Sequence, residues 1–139
     1  MLTHADLFGH VSHKPKRKRG LVLTRPTVPE AAIVEAVLQL LAVHPAVAWA
    51  CRQNCGAMWV GEGKSRRYVR FNSMPGMSDI LGQLKGSGKL IVIECKRVGE
   101  KPTVIQQSFL DLVARGGGFS MVAYNAQEVA QELAKCQMP

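Results

Sequence analysis

The run Leu90-Ile91-Val92-Ile93-Glu94-Cys95-Lys96 constrains the fold of this chain more than any other stretch. Its continuous apolar, β-branched start reads as a buried β-strand. It ends in two charged residues spaced two apart. Side chains alternate across a strand, so Glu94 and Lys96 leave the same face. A carboxylate and an ammonium at the mouth of an apolar strand are costly to bury without a purpose. A third charge, Asp79, stands just upstream in Pro75-Gly76-Met77-Ser78-Asp79-Ile80-Leu81.

The segment between is a hairpin: a strand over Ser78–Leu84, a turn in Gly86-Ser87-Gly88, and a strand over Lys89–Lys96. A two-residue turn at Gly86-Ser87, with Gly first as a type II′ turn wants, sets Lys85 opposite Gly88. Stepping outward places Asp79 opposite Glu94, with Cβ atoms about 4.5–5.5 Å apart. A three-residue turn would pair Asp79 with Cys95 instead.

The other elements follow from periodicity. A helix is expected from about Val28 to Val43, with Ile33, Val34, Val37, Leu40 and Leu41 as its apolar stripe, ended by His44-Pro45. A strand is expected at Ala46–Arg52 and a turn at Asn54-Cys55-Gly56. Gly61-Glu62-Gly63-Lys64-Ser65 reads as a loop tip, and Tyr68, Val69 and Phe71 as a short strand. Val104–Arg115 is a second amphipathic helix stopped by Gly116-Gly117-Gly118. Phe119–Tyr124 is a strand, and Asn125 caps a last helix to about Lys135. This order predicts an α/β architecture, a mixed central sheet flanked by helices, as one domain over 26–139.

The charge is uneven. Of the formal net charge of +8, five units lie in residues 1–25, which hold six Lys/Arg against one Asp. Lys14-Pro15-Lys16-Arg17-Lys18-Arg19 carries most of them, with a short strand at Leu21-Val22-Leu23 beyond. The reading is a basic, flexible arm directed at a polyanion; a localisation signal or a solubilising tail would have the same composition. The apolar content of 47% beside 20% charged residues suits a globular domain. No apolar run is long enough to span a membrane and no signal core opens the chain, so a cytoplasmic protein is expected.

Two carboxylates on neighbouring strands repel unless a cation lies between them. Hard oxygen donors suit Mg²⁺ or Mn²⁺. Such an ion lowers the pKa of bound water and neutralises charge on a phosphoryl oxygen. Lys96 beside it would orient the attacking water or stabilise the developing charge. An acid, a hairpin's length and then Glu-x-Lys is thus a pattern for metal-dependent phosphodiester hydrolysis. The bland reading is a surface salt bridge from Glu94 to Lys96 or Lys101 on an edge strand.

Four segments then carry a family likeness: Pro29-Glu30-Ala31-Ala32-Ile33, Arg52-Gln53-Asn54-Cys55-Gly56-Ala57, Gly76-Met77-Ser78-Asp79-Ile80-Leu81-Gly82 and Ile93-Glu94-Cys95-Lys96-Arg97. Lys101-Pro102-Thr103-Val104-Ile105-Gln106, followed by Phe109-Leu110, adds a Gln-bearing helix. In this order, over about residues 28–130, they resemble the VRR-NUC branch of the PD-(D/E)xK nucleases. The resemblance implies a restriction-endonuclease-like core. It assigns the metal to Asp79, Glu94 and the backbone carbonyl of Cys95, and the catalytic lysine to Lys96. It also points to Glu30 on the first helix and Gln106 on the second as completing the site. Ser78 stands where the classical motif has Pro, as is normal in this branch. The implied activity is Mg²⁺- or Mn²⁺-dependent endonucleolytic cleavage of DNA, selective for branched forms such as Holliday junctions. A homodimer is implied too, since two symmetric cuts need two sites. The small size and basic arm fit a phage or prophage protein.

Glu30 and Gln106 also have local readings. Thr27-Val28-Pro29-Glu30 and Thr103-Val104-Ile105-Gln106 both fit capping boxes. Glu30 falls on the inward face of its helix, whereas Glu35 falls with Gln39 on the polar face; Gln107 is the alternative to Gln106. Arg52, Asn54, Lys64, Arg66, Arg67 and the arm residues Lys16, Arg17, Lys18 and Arg19 are candidate phosphate contacts. Trp49 and Trp59 are expected in the core rather than stacked on bases. Two rivals remain: a DNA-binding module that does not cut, and a zinc-stabilised regulator using Cys51, Cys55 and His44. Cys51, Cys55, Cys95 and Cys136 are otherwise expected as free thiols, and His4, Asp6, His10 and His13 as bystanders.

Overall fold

A computed structural model describes residues 27–53, 56–70 and 74–136. The basic arm, with Lys16 to Arg19 and the strand at 21–23, lies outside the described residues, as do Asn54, Cys55 and Phe71.

The chain runs α1 (Glu30–Val43), β1 (Val47–Arg52), β2 (Ala57–Val60), β3 (Arg67–Arg70), β4 (Ile80–Leu84), β5 (Leu90–Cys95), α2 (Val104–Arg115), β6 (Phe119–Ala123) and α3 (Ala126–Lys135). Four strands form a mixed sheet in the order β1-β4-β5-β6, and β2 and β3 form a separate two-stranded ribbon. The pairs β1–β4 and β4–β5 are antiparallel. α2 carries the chain across so that β6 joins β5 in parallel.

Helices cover both faces of the four-stranded sheet, which explains why β5 reads as an unbroken apolar run. On one face, Ile33, Val34, Val37 and Leu41 of α1 and Val129 and Leu133 of α3 pack on Ile80, Ile91, Ile93 and Cys95. On the other, Phe109, Leu110 and Val113 of α2 pack on Val92, with Met77, Leu81 and Val122 beside them. β5 therefore alternates between the two layers, and Glu94 and Lys96 continue the row of Val92, toward α2.

α2 begins and ends where its capping box and glycines predict, and Asn125 caps α3 by accepting from Glu128 N at 2.9 Å. α1 starts at Glu30 on an N-cap, Pro29, with no side-chain bond. The first expected capping box therefore does not form. The hairpin turn also differs. Gly88 N donates to Leu84 O at 3.1 Å and Leu84 N to Lys89 O at 2.8 Å, so residues 85–88 form a four-residue loop. Gly86 (φ 77°) and Gly88 (φ 68°) supply its left-handed backbone. Two- and four-residue loops have the same parity, so the expected register survives: Ile80 pairs with Ile93 and Gln83 with Leu90.

The expectation of core positions for the tryptophans is overturned. Trp49 and Trp59 are both exposed. Trp49 sits on the edge strand β1 and donates its Nε1–H to Gln83 Oε1 at 2.9 Å. Trp59 lies on the ribbon, which no layer of the described residues covers. β2 itself falls where the sequence predicts no strand, and the loop tip at Gly63–Ser65 closes as a 3-10 turn.

Candidate functional site

The C-terminal end of β5 is a corner where α1 and α2 both begin. Glu94 and Lys96, two apart on one strand face, meet there: Lys96 Nζ donates to Glu94 Oε1 at 2.6 Å. The Glu94 side chain is 1% exposed and that of Lys96 12%. β5 lies between β4 and β6, so this pair is not the solvated edge-strand salt bridge of the bland reading.

Gln106, in the first turn of α2, donates its Nε2–H to the same Glu94 Oε1 at 2.5 Å. Its other amide atom completes the capping box: Gln106 Oε1 accepts from Thr103 N at 2.9 Å, while Thr103 Oγ1 accepts from Gln106 N at 3.3 Å. Both readings of Gln106 therefore hold at once. The cap fixes the amide, and the fixed amide holds the carboxylate. Gln107 instead bonds Asp111 on the outer face. Glu30, in the first turn of α1, comes within 3.7 Å of Lys96 Nζ. Glu35 pairs with Gln39 on the exposed side, as its helical position predicts.

Asp79 immediately precedes β4, and Ile80, the next residue, pairs with Ile93. Its Oδ2 accepts from Cys95 N at 2.9 Å, and its own carbonyl accepts from Gln53 N at 2.6 Å. These bonds hold its charge against the end of β5. Gly76 makes the approach possible. It sits at φ 78°, and a Cβ there would lie 2.5 Å from the carbonyl oxygen of Ile105, one residue before Gln106.

Electrostatics follow from this packing. Burial pushes the Glu94 carboxyl above its usual range; the Lys96 hydrogen bond works against that and the nearby Asp79 charge adds to it. Burial alone would lower Lys96, but the hydrogen bond to Glu94 and the charges of Glu94, Glu30 and Asp79 prevail and hold it above the ordinary lysine value. The Cys95 thiol is pushed up to about 12, first by burial and then by the same acids. Its side chain packs in the α1–α3 layer, on the sheet face opposite Glu94, so it is the backbone of Cys95 that faces the corner.

At this corner Glu94 Oε2 is buried and makes no hydrogen bond, because both donors converge on Oε1. Leaving a buried charged oxygen bare costs more than the roughly 1–3 kcal/mol of a neutral group, so the atom is open to a proton or to a cation. Among the described residues no three His, Cys, Asp or Glu side chains form a ready-made metal cage. That is a poor match for zinc but fits Mg²⁺ or Mn²⁺. Mg²⁺ keeps several waters and is bound through one or two carboxylates together with substrate phosphate. Asp79 and Glu94 supply the two carboxylates.

The zinc reading is corrected. Cys55 lies outside the described residues, and His44 and Cys51 sit at opposite ends of β1. The steps from Val47 to Cys51 alone span about 13 Å, too far for one ion. His44 Nδ1 instead accepts from Ala46 N, and Cys51 Sγ from Gln53 Nε2.

The candidate phosphate contacts do not gather in one place. Arg52 ends β1 opposite Ile80, beside the corner. Lys64, Arg66 and Arg67 lie at the tip of the ribbon. No protein-family model matches the chain, nor does a curated protein or a solved structure match it.

Proposed function

We propose that the chain is a divalent-metal-dependent endodeoxyribonuclease of the VRR-NUC type, acting on branched DNA such as a Holliday junction. The observation that carries this reading is the bare, buried Glu94 Oε2 beside Asp79 and a protonated Lys96. Glu30, Asp79, Glu94 and Gln106, from four segments of the chain, converge on the corner that holds Lys96. The element order supports the restriction-endonuclease-like core: a helix, three antiparallel strands, a crossover helix, a parallel strand and a last helix, with the ribbon as an insertion.

In this mechanism Asp79, Glu94 and the Cys95 carbonyl would hold Mg²⁺ or Mn²⁺, which when bound activates water and neutralises phosphoryl charge. The rest falls to side chains. Lys96 is protonated in the resting site, so it acts as a donor that orients the attacking water and then meets the negative charge developing on the phosphoryl oxygens. Glu30 keeps the ammonium drawn toward the site mouth. Gln106 fixes the rotamer of Glu94. Arg52 would receive a neighbouring phosphate and set register without reading sequence. Each chain carries one such corner, so a four-way junction would be resolved by two copies.

The test is cleavage of plasmid and synthetic junction, flap and duplex DNA with Mg²⁺, Mn²⁺ or EDTA. Cutting is expected only with metal, and none from Asp79→Ala or Lys96→Ala proteins that still bind DNA. Metal-independent cutting, or full activity in both variants, overturns the proposal. DNA binding without cleavage under any metal would leave only the binding-module reading.

A further inference from the structure

The ribbon has no structural reason to carry the residues it does. In β2 and β3, Ala57 pairs with Arg70, Met58 with Val69, Trp59 with Tyr68, and Val60 with Arg67. Paired residues share a face, so Ala57, Trp59, Tyr68 and Arg70 lie together on one side. Trp59 is 56% exposed and Tyr68 54%. Their ring centroids are 5.3 Å apart with planes tilted by 58°, and the Arg66 guanidinium lies 4.9 Å from the Trp59 ring centroid. No residue of β2 is buried, so neither ring is there to fill a core.

We propose that this face is a stacking platform for unpaired bases of DNA. Aromatic rings supply the surface on which bases stack whatever their identity, and adjacent cations follow the backbone. Residues 56–70 hold Lys64, Arg66, Arg67 and Arg70 against one acid, Glu62. That charge suits a polyanion and opposes a second copy of the same ribbon. The ribbon is also rooted at the acid corner by both ends. It leaves from Gln53, bonded to the Asp79 carbonyl, and the chain returns through Pro75-Gly76 to Asp79. Trp59 is six residue steps beyond Gln53, so its backbone lies within about 22 Å of that root, or roughly six base pairs of duplex. A flap exposes unpaired bases over that distance from its cleavable strand, whereas intact duplex does not. The proposal rests on the nuclease reading for its ligand and makes the ribbon the element that selects branched DNA.

The experiment uses the full chain and needs no cleavage. The Trp49→Phe protein leaves Trp59 as the sole tryptophan. It is titrated in EDTA with a single-stranded oligonucleotide and with a blunt duplex of equal length. Quenching of Trp59 by the single strand, stronger than by duplex, is expected. Trp59→Ala should weaken single-strand binding by roughly 5- to 150-fold, and Trp59→Phe should retain most of it. Unquenched Trp59, or equal affinity of the alanine variant, overturns the proposal. So does self-association of DNA-free protein that Trp59→Ala abolishes, or quenching by anionic lipid vesicles at the same ionic strength. The two proposals fail separately. Metal-dependent cleavage with unchanged binding by Trp59→Ala removes the platform alone, and a working platform without cleavage under any metal removes the nuclease alone.

Discussion

At the end of β5 a glutamate is 1% exposed and is held by Lys96 and Gln106; on the ribbon, far earlier in the chain, a tryptophan is 56% exposed and its ring meets Tyr68 and Arg66. The corner holds charge where water is excluded, and the ribbon holds aromatic surface where water is abundant. Both arrangements cost free energy in the unliganded protein: one desolvates carboxylates, the other hydrates rings. The costs point to different ligands, a cation at the corner and bases on the ribbon. They also imply different responses to mutation. Corner substitutions should alter chemistry and stability together, while ribbon substitutions should leave the fold intact, within about 0.5 kcal/mol, as surface changes do.

The strongest way to break the contrast is Lys96→Met. It keeps the aliphatic stem but removes the donor that meets developing charge, so the cleavage rate at saturating metal should fall by about 10²- to 10³-fold. Loss of folding is not expected, because burial raises the Glu94 carboxyl, which can take up a proton rather than remain a bare buried anion. A fall of less than tenfold, measured in single turnovers, would reduce Lys96 to a charge-balancing role.

Next is Gln106. As a residue that orients Glu94, its replacement by Ala should cost about 10- to 100-fold in activity, while Gln107→Ala should cost nothing measurable. Gln106→Ala also removes half of the capping box, so Thr103→Ala is the control. It deletes the cap from the other side, worth about 1 kcal/mol of stability, but leaves the amide able to reach Glu94. Equal activity losses in the two variants would mean that α2's N-terminus matters only as a helix end.

These paired readings show where the sequence is legible. Parity is the most readable quantity: Glu94 and Lys96 share a face because a strand alternates, and Asp79 lies beside Glu94 because two- and four-residue loops preserve the register. Helix ends with side-chain caps, at Thr103 and Asn125, are readable for the same local reason. Glu30 and Gln106 are readable only through the family likeness, since Glu30 lies 66 residues from its partner Lys96 and Gln106 lies 12 from its partner Glu94, and no local rule joins them. The ribbon is illegible because no buried face imposes alternation on β2. Trp49 and Trp59 mislead for a related reason. The general tendency of tryptophan toward the interior presumes a layer to pack against, and edge strand β1 and the ribbon provide none at those positions.

The pH profile sharpens the comparison further. A metal and a proton compete for Glu94, whose carboxyl titrates above the usual range. At limiting Mg²⁺, cleavage should decline as pH falls through a midpoint higher than an ordinary carboxylate's, and added Mg²⁺ should move that midpoint down. Binding of single strands to the ribbon, measured in EDTA over the same interval, should stay flat, since the ribbon offers aromatic rings and guanidinium groups, a chemistry that does not titrate in that range. A cleavage midpoint insensitive to Mg²⁺ would detach the titration from the metal site.

The smallest expected effect is on stability and needs no substrate. A carboxyl whose folded value is raised binds its proton more tightly in the folded state. Its contribution is therefore fully present below the unfolded value and lost as pH rises through the folded one. At neutral pH without metal, the ionised Glu94 is a burden to the fold, and Glu94→Gln, which resembles the protonated form, should melt a few degrees higher than the parent. One kcal/mol corresponds to about 2–8 °C across domains of roughly this size. The difference should close as pH is lowered through the carboxylate range. Mg²⁺ should raise the melting point of the parent and leave Glu94→Gln nearly unmoved, because a ligand stabilises only the state that binds it. If Glu94→Gln melts lower than the parent at neutral pH, the Lys96 ion pair outweighs the desolvation of the carboxylate. The bare Oε2 would then no longer argue for a cation at the corner.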